Sequence, residues 1–149
     1  MTRKITRSVA RIKLELDDYL YLGNLDARRD WGYAPEYVEG MWRIVQLGEG
    51  DDFVLATGET HTVREFVEAA FGAAGLEWQK YVVVDEAYMR PAEVDQLRGD
   101  ASKARKKLGW KPETTFEQLV HEMLEHDLML EGVDPAKHLR KPPAGVTKD

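Results

Sequence analysis

The sequence predicts an α/β fold, in which helices alternate with short strands along the chain. Amphipathic periodicity indicates the helices, and three short runs of β-branched and aromatic residues indicate strands. None of these runs leads into a glycine-rich turn, and three short strands make a small sheet for an α/β domain. We therefore expect the chain to be part of a larger fold. The predicted strands are YLYLG at 19–23, DDFVLATG at 51–58 and KYVVVD at 80–85.

Five segments carry the apolar spacing of a helix that buries one face. Two of them begin with a capping box, in which a threonine side chain and a carboxylate three residues later bond each other's backbone. The two predicted boxes are Thr62-x-x-Glu65 and Thr114-x-x-Glu117. The predicted helices lie within residues 2–16, 37–47, 60–76, 101–109 and 114–131.

Length and composition indicate one domain with a substantial core. The chain has 149 residues, of which 43% are hydrophobic, and it has no cysteine. The lack of cysteine excludes disulfides and thiolate chemistry and fits a reducing compartment. No apolar run approaches the roughly 20 residues of a membrane span. We expect a cytoplasmic protein with no membrane partner.

The charge of the chain is acidic overall but unevenly distributed. The formal net charge is −6, although residues 1–14 hold five basic side chains and no acid. An acidic chain argues against a general nucleic-acid binder. The basic first helix could bind phosphate groups or acidic lipid, but we favour a solvated face or a face packed against an acidic partner.

The last predicted helix contains the sequence HEMLEH, from His121 to His126. A zinc protease helix has two histidines four residues apart, on one face. These histidines are five residues apart, about 140° around a helix, so they cannot share a metal ion. We therefore expect no metal site and interpret this stretch as a solvated face.

Arginines in two separate segments are candidate ligands for a negatively charged partner. Arg28 and Arg29 follow the first predicted strand, and Arg90 lies three residues before Glu93. Arginine presents a planar fork of donors, so two arginines from different segments can clamp a diphosphate. The carboxylate could accept hydrogen bonds from sugar hydroxyls. Surface salt bridges are the alternative for each arginine, and Trp31 could either stack on a base or pack in the core.

Five segments of the sequence are distinctive: TRKITRSVARIKL, YLGNLDARRDWGYAPEYVEGMW, DFVLATGETHTVREFVEAAF, YMRPAEVDQLRGDASKARKKLGWKP and TTFEQLVHEML. In this order, they closely resemble the C-terminal part of the GDP-mannose 4,6-dehydratase family of the extended short-chain dehydrogenase/reductase superfamily. The resemblance runs from Met1 to about Leu130, and LGNLDARRDWGYAPEYV and RPAEVD are specific to this family within the superfamily.

The resemblance implies both a fold and an activity. Residues 1–133 are expected to form a small substrate-binding subdomain, together with elements that complete a Rossmann domain whose N-terminal half is absent. Enzymes of the family use bound NADP to convert GDP-mannose to GDP-4-keto-6-deoxymannose and water, a hydro-lyase reaction of GDP-fucose biosynthesis. Residues 134–149, rich in proline and charge, are expected to be a disordered tail.

The resemblance also assigns substrate-binding residues. Arg29 and Arg90 match the family arginines that hold the diphosphate of GDP-mannose. Glu93 matches the carboxylate at the ribose hydroxyls, and Lys4 matches a lysine of the nucleotide pocket. Arg28 matches no role in the family and keeps its interpretation as a surface residue.

The motifs for cofactor binding and catalysis are absent from this sequence. No GxxGxxG follows a predicted strand, and none of the six tyrosines has a lysine four residues later. We therefore expect no catalytic and no cofactor-binding residue here, and no turnover by this chain alone. The alternative is a non-enzymatic binding or interaction module, which pairs with itself or with another subunit.

Two apolar helix faces have no obvious cover in a chain of this length. We expect them to be partly exposed and to promote a homo-oligomer, since large apolar patches are uncommon on soluble monomers. The first face consists of Ile5, Val9, Ile12 and Leu16, and the second of Val38, Met41, Trp42 and Val45.

Overall fold

The computed structural model of the chain describes residues 1–89, 94 and 96–141. Helices and strands alternate in it as the sequence predicts. Its helices are α1 (Thr2–Lys13), α2 (Ala34–Val45), α3 (Val63–Ala73), α4 (Ser102–Leu108) and α5 (Phe116–Leu130). Its strands are β1 (Leu20–Leu22), β2 (Arg28–Arg29), β3 (His61–Thr62) and β4 (Val82–Val84). Short 3₁₀ helices cover Trp78–Lys80, Glu86–Tyr88 and Pro135–Lys137.

The strands form two small sheets. β1 pairs in parallel with β4, with Leu20 opposite Val82, so the first and third predicted strands are confirmed. β2 pairs antiparallel with β3, with Arg28 opposite Thr62. The prediction of a strand at 51–58 is wrong, because this segment joins neither sheet in the described part of the chain. A strand needs a neighbour to bond, and the β-branched pattern alone does not provide one.

The main core lies between α1, α3, α5 and the parallel strand pair. Phe66 and Phe71 of α3 and Leu124 of α5 are completely buried in it. Burial of such a side chain stabilises the fold by about 1.5–3 kcal/mol. Three members of the first apolar face are buried in this core as well, so the expectation that they are exposed is wrong: α3 and α5 of the same chain cover them. They are Ile5, Val9 and Ile12.

A second, smaller core joins α2 to α4 around Trp110. The Trp110 indole donates a hydrogen bond to the Glu36 carbonyl oxygen at 2.7 Å, and its ring lies edge-on to Tyr37. The opposite face of α2 is uncovered. Its four apolar side chains are between 56% and 78% exposed, which confirms the expectation for the second apolar face: Met41, Trp42, Val38 and Val45.

The two capping boxes have different outcomes. The box at α3 is confirmed, with the Glu65 amide donating to the Thr62 hydroxyl at 3.0 Å. The box at α5 lies one residue later than predicted and uses Thr115 and Gln118. The reason is that the Thr114 hydroxyl donates to the Glu36 carboxylate instead, at 2.7 Å.

Residues 134–141 differ from the expected disordered tail. They begin with a 3₁₀ helix whose Pro135 is buried. Arg140 then lies between α3 and α5, because its amide donates to the Ala73 carbonyl oxygen and its own carbonyl oxygen lies 3.0 Å from His121 Nε2. The rest of the expected tail, 142–149, lies outside the described residues.

The basic face of α1 is largely exposed, as the solvated interpretation expects, and two of its arginines also lie near acidic residues of the same chain. Arg11 Nε lies 2.8 Å from Asp17, and Arg11 Nη1 lies 3.4 Å from Glu131 at the end of α5. Arg3 Nε lies 3.7 Å from the buried Asp127 of α5. No helix in the described part of the chain has the length and apolarity to cross a membrane.

Candidate functional site

Lys4 reaches from the first turn of α1 to the outer edge of β1. In the parallel ladder, the Leu20 amide donates to the Tyr81 carbonyl oxygen and the Leu22 carbonyl oxygen accepts from the Asp85 amide, both at 2.8 Å. The backbone of Tyr21 therefore faces away from β4. The Tyr21 carbonyl oxygen accepts instead from the Lys4 ammonium at 2.5 Å.

The Lys4 ammonium also lies 4.0 Å from the centre of the Tyr88 ring, within the range of a cation–π contact. Gly23 makes this placement of Tyr88 possible. A Cβ atom at Gly23 would lie 2.3 Å from the Tyr88 carbonyl oxygen, so only glycine lets the Glu86–Tyr88 helix pack against the end of β1. Apart from the glycine itself, no sequence pattern indicates this contact.

Arg29 and Arg28 contact different parts of the molecule. The Arg29 guanidinium donates from Nη1 to the Val94 carbonyl oxygen at 2.7 Å and to the Arg28 carbonyl oxygen at the same distance. The Arg28 guanidinium donates to the Thr60 carbonyl oxygen at 2.8 Å. Neighbouring side chains of a strand point to opposite faces, so the two arginines cannot serve one ligand equally. The structure therefore separates the two arginines, and the binding role of Arg29 stays a prediction.

Two of the four predicted substrate-binding residues, Arg90 and Glu93, lie outside the described residues. Lys4 contacts Tyr88 and Arg29 contacts Val94, so the other two touch the chain on either side of residues 90–93. The structure thus brings Lys4 and Arg29 to the flanks of the segment that contains their predicted partners. The diphosphate clamp itself stays a prediction.

The aromatic residues beside the arginines take structural places. The Trp31 ring centre lies 5.2 Å from that of Phe66 and 6.0 Å from that of Phe116. The Trp31 side chain therefore packs against the main core instead of stacking on a base. The Tyr33 hydroxyl donates to the Glu122 carboxylate at 2.5 Å. This hydrogen bond raises the pKa of Tyr33.

Asp30 is the residue that sequence reasoning missed. One carboxylate oxygen accepts from the Thr57 amide at 3.0 Å and from the Thr57 hydroxyl at 2.5 Å. The other accepts from the Gly58 amide at 3.0 Å and the Gly99 amide at 3.2 Å. Burial alone would raise the pKa of Asp30, but these hydrogen bonds together outweigh it and leave the pKa below its ordinary value. The donors lie 27 to 69 residues away along the chain, so no local pattern could reveal them.

The HEMLEH stretch differs in part from its interpretation as a solvated face. His126 is exposed, but His121 is buried under Arg140. The solvated interpretation is therefore wrong for His121, because residues 134–141 cover that side of α5. No group of three or more potential metal ligands occurs within residues 1–89, 94 and 96–141.

The described residues do not fit a complete dinucleotide site. Such a site uses a parallel strand that runs through a glycine-rich turn into a helix N-terminus, where backbone amides meet the pyrophosphate. β1 leads to β2 and β4 leads to the Glu86–Tyr88 3₁₀ helix, so neither parallel strand has this continuation in the described part of the chain.

Comparison with known proteins identifies relatives over most of the chain. The sequence profile of the family described as GDP-mannose 4,6 dehydratase matches residues 1–123. GDP-mannose 4,6 dehydratase 2 of Arabidopsis thaliana is 56% identical over 130 residues, 87% of this chain and 35% of the relative. GDP-mannose 4,6 dehydratase of Cricetulus griseus is 48% identical over an alignment covering 91% of this chain and 41% of the relative. The chain thus spans well under half the length of these relatives.

A similar solved structure comes from Pseudomonas aeruginosa. The protein named RMD, complexed with NADPH, matches with a TM-score of 0.77 and 27% identity, over 87% of this chain and 42% of that one. This similarity confirms the expected fold class, the C-terminal part of an extended short-chain dehydrogenase/reductase fold. As with the sequence relatives, more than half of the similar structure has no counterpart here.

Proposed function

Because this chain belongs to the GDP-mannose 4,6-dehydratase family, we propose that it is the substrate-binding C-terminal portion of an enzyme that converts GDP-mannose to GDP-4-keto-6-deoxymannose and water. The observation that carries this proposal is the placement of Lys4 and Arg29. They come from α1 and β2, and they contact the two flanks of residues 90–93. Two cations from separate elements thus contact the flanks of one short segment, and charge-assisted hydrogen bonds from such cations favour a phosphate ligand.

Each of the four predicted substrate-binding residues has a separate role in this proposal. Arg29 and Arg90 bind the diphosphate, since a guanidinium can donate two parallel hydrogen bonds to phosphate oxygens. Glu93 accepts hydrogen bonds from the ribose hydroxyls. Lys4 lines the nucleotide pocket, where its ammonium, with three donors, can keep its bond to β1 and still contact the ligand.

NADP is the cofactor in this proposal, and it supplies hydride transfer when bound. The residues that would hold it are not among those described, so this chain contributes the substrate side of the reaction. We predict that purified chain, supplied with NADP and GDP-mannose, forms no 4-keto sugar. Product that appears after contaminating host enzyme has been excluded by mass spectrometry would contradict this division of roles.

Binding tests the proposal more directly than turnover. Titration calorimetry of this chain should give a saturable signal with GDP-mannose and a much weaker one with UDP-glucose, which has a diphosphate and a sugar but a different base. Equal affinity for the two sugar nucleotides, or no affinity for either, would contradict the proposed substrate.

The exposed face of α2 favours a second candidate function, the interaction module. Its four apolar side chains are more than half exposed, and a face of this kind is typical of an interaction surface. In this alternative the chain associates with a second copy or another subunit and binds no GDP-mannose. A homo-oligomer is compatible with both candidates, and a cytoplasmic location stays a prediction.

A further inference from the structure

Three consecutive residues hold one segment of the chain in place. The Arg28 carbonyl oxygen accepts from the Leu97 amide at 3.2 Å, and the Arg29 guanidinium donates to the Val94 carbonyl oxygen at 2.7 Å. The Asp30 carboxylate accepts from the Gly99 amide at 3.2 Å. Residues 94 and 96–99 are therefore attached to the end of β2 at both ends and in the middle.

The far end of this segment leaves little room for movement. A Cβ atom at Gly99 would lie 2.2 Å from the Ala56 Cβ, so the backbone at Gly99 passes in direct contact with Ala56. Asp30 joins Gly99 to the same stretch of chain, since its second oxygen accepts from both the Gly58 and the Gly99 amides. Arg98 adds a third link by donating to the Gly58 carbonyl oxygen at 2.6 Å.

We propose that Asp30 is a positioning residue, which fixes the Arg29 guanidinium for the diphosphate of the ligand by holding residues 94 and 96–99. This inference rests on the proposed function for the identity of the ligand. Asp30 acts through the Val94 carbonyl oxygen, which holds one nitrogen of the guanidinium. An arginine side chain loses rotamer entropy when it is held in one conformation, so ordering it before the ligand arrives favours binding.

The substitution Asp30→Asn tests this role with almost no change of shape. A carboxylate accepts hydrogen bonds at both oxygens, whereas an amide nitrogen only donates. The asparagine oxygen can serve the donors on one side of Asp30, but the amide nitrogen then faces donors on the other side and repels them. Thr57→Val is the matched control, because it removes one hydroxyl donor to Asp30 and leaves the Gly99 contact intact.

Hydrogen exchange measures the first step of the proposal. In Asp30→Ser, which removes both carboxylate oxygens, the Gly99 amide loses its bonded partner and should exchange at least about tenfold faster than in the wild-type chain. The Leu97 amide, which donates to the Arg28 carbonyl oxygen, should also exchange faster because its segment is no longer held at Gly99. Thr57→Val should leave the exchange rates of these amides within about twofold of those in the wild-type chain. Unchanged exchange at the Gly99 amide in Asp30→Ser would overturn the proposal.

Nucleotide binding measures the second step, with GDP and GMP as probes. GDP has the second phosphate that a positioned Arg29 can reach, so Asp30→Asn should reduce the preference for GDP over GMP by about tenfold. A merely structural role would weaken both nucleotides equally and leave their ratio unchanged. An unchanged ratio in Asp30→Asn, beside a clear GDP preference in the wild-type chain, would overturn the positioning role and leave the proposed function intact.

The preference of the wild-type chain for GDP over GMP distinguishes the remaining outcomes. If it shows no preference for GDP over GMP, the diphosphate site and the positioning role both fail. If Asp30→Asn does not fold, Asp30→Ser removes the carboxylate without placing an amide against the Gly58 and Gly99 donors, and the same loss of GDP preference is expected. A preserved ratio in a folded Asp30→Ser chain would overturn the proposal.

Discussion

At the scale of single residues, Arg28 and Arg29 are alike in sequence but not in their contacts. Arg28 donates to Thr60, whereas Arg29 donates to Val94, directly after the segment of Arg90 and Glu93. The resemblance to a family predicts different roles for the two arginines, and strand geometry places their guanidiniums against different segments. Asp30 could not be predicted in this way, because a carboxylate that joins three distant segments has no local sequence pattern.

Asp30 should make the stability of the chain sensitive to acid. Its pKa is lowered in the folded state by the bonds from Thr57, Gly58 and Gly99, which outweigh its burial. A carboxylate with a lowered pKa contributes its stability above the ordinary value of about 3.9 and loses it as the pH falls through the folded-state value.

The free energy of unfolding, measured by urea titration of tryptophan fluorescence, should therefore differ most between wild type and Asp30→Asn at neutral pH. The difference should shrink as the pH falls below about 4. Asp26→Asn, at an exposed carboxylate that pairs with Arg64, is the control and should change stability by less than about 1 kcal/mol at neutral pH. A difference that grows in acid would show that Asp30 is not stabilised as its charged form.

At the scale of elements, periodicity predicted the helices well and the strands poorly. All five helices form, since the spacing of their apolar residues is itself the cause of their packing. The segment 51–58 has the composition of a strand but joins no sheet in the described part of the chain, whereas the two-residue strands β2 and β3 pair with each other. Pairing depends on a neighbour distant in sequence, which composition does not specify.

The start of α5 shows how a tertiary contact moves a cap. Thr115→Ala should lower the free energy of unfolding by about 1 kcal/mol, since the Thr115 hydroxyl accepts from the Gln118 amide and satisfies a helix donor. Glu117→Ala, at the position that the sequence suggested for the box, should change it by less than about 0.5 kcal/mol. Thermal or urea unfolding of the two variants measures this contrast, and the reverse order would show that the box lies where the sequence placed it.

At the scale of the whole molecule, the chain combines a covered core with an uncovered helix. The family resemblance identified the fold class, and the similar structure confirms it. The sequence did not show that α3 and α5 bury the apolar face of α1, because the partner of an amphipathic face is set by tertiary packing. The face of α2 was predicted correctly as exposed.

This exposed face should cause the chain to associate with itself. Light scattering at increasing concentration should show dimers or larger assemblies, because burial of α2 removes apolar surface from water. Trp42→Glu should shift the chain toward monomer. Leu16→Glu, at an exposed apolar residue outside α2, is the matched control and should not. A wild-type chain that stays monomeric at high concentration would contradict this expectation.

We claim above all that this chain carries the diphosphate-binding part of a sugar-nucleotide site, in which Arg29 binds the diphosphate. Titration calorimetry of GDP into the wild-type chain and two single variants tests it most directly. Arg29→Ala should weaken GDP binding by about 2–4 kcal/mol, at least about thirtyfold, through loss of charge-assisted bonds. Arg28→Ala, whose guanidinium bonds Thr60, should leave GDP affinity within about twofold. Equal losses in the two variants, or no GDP binding by the wild-type chain, would contradict the claim.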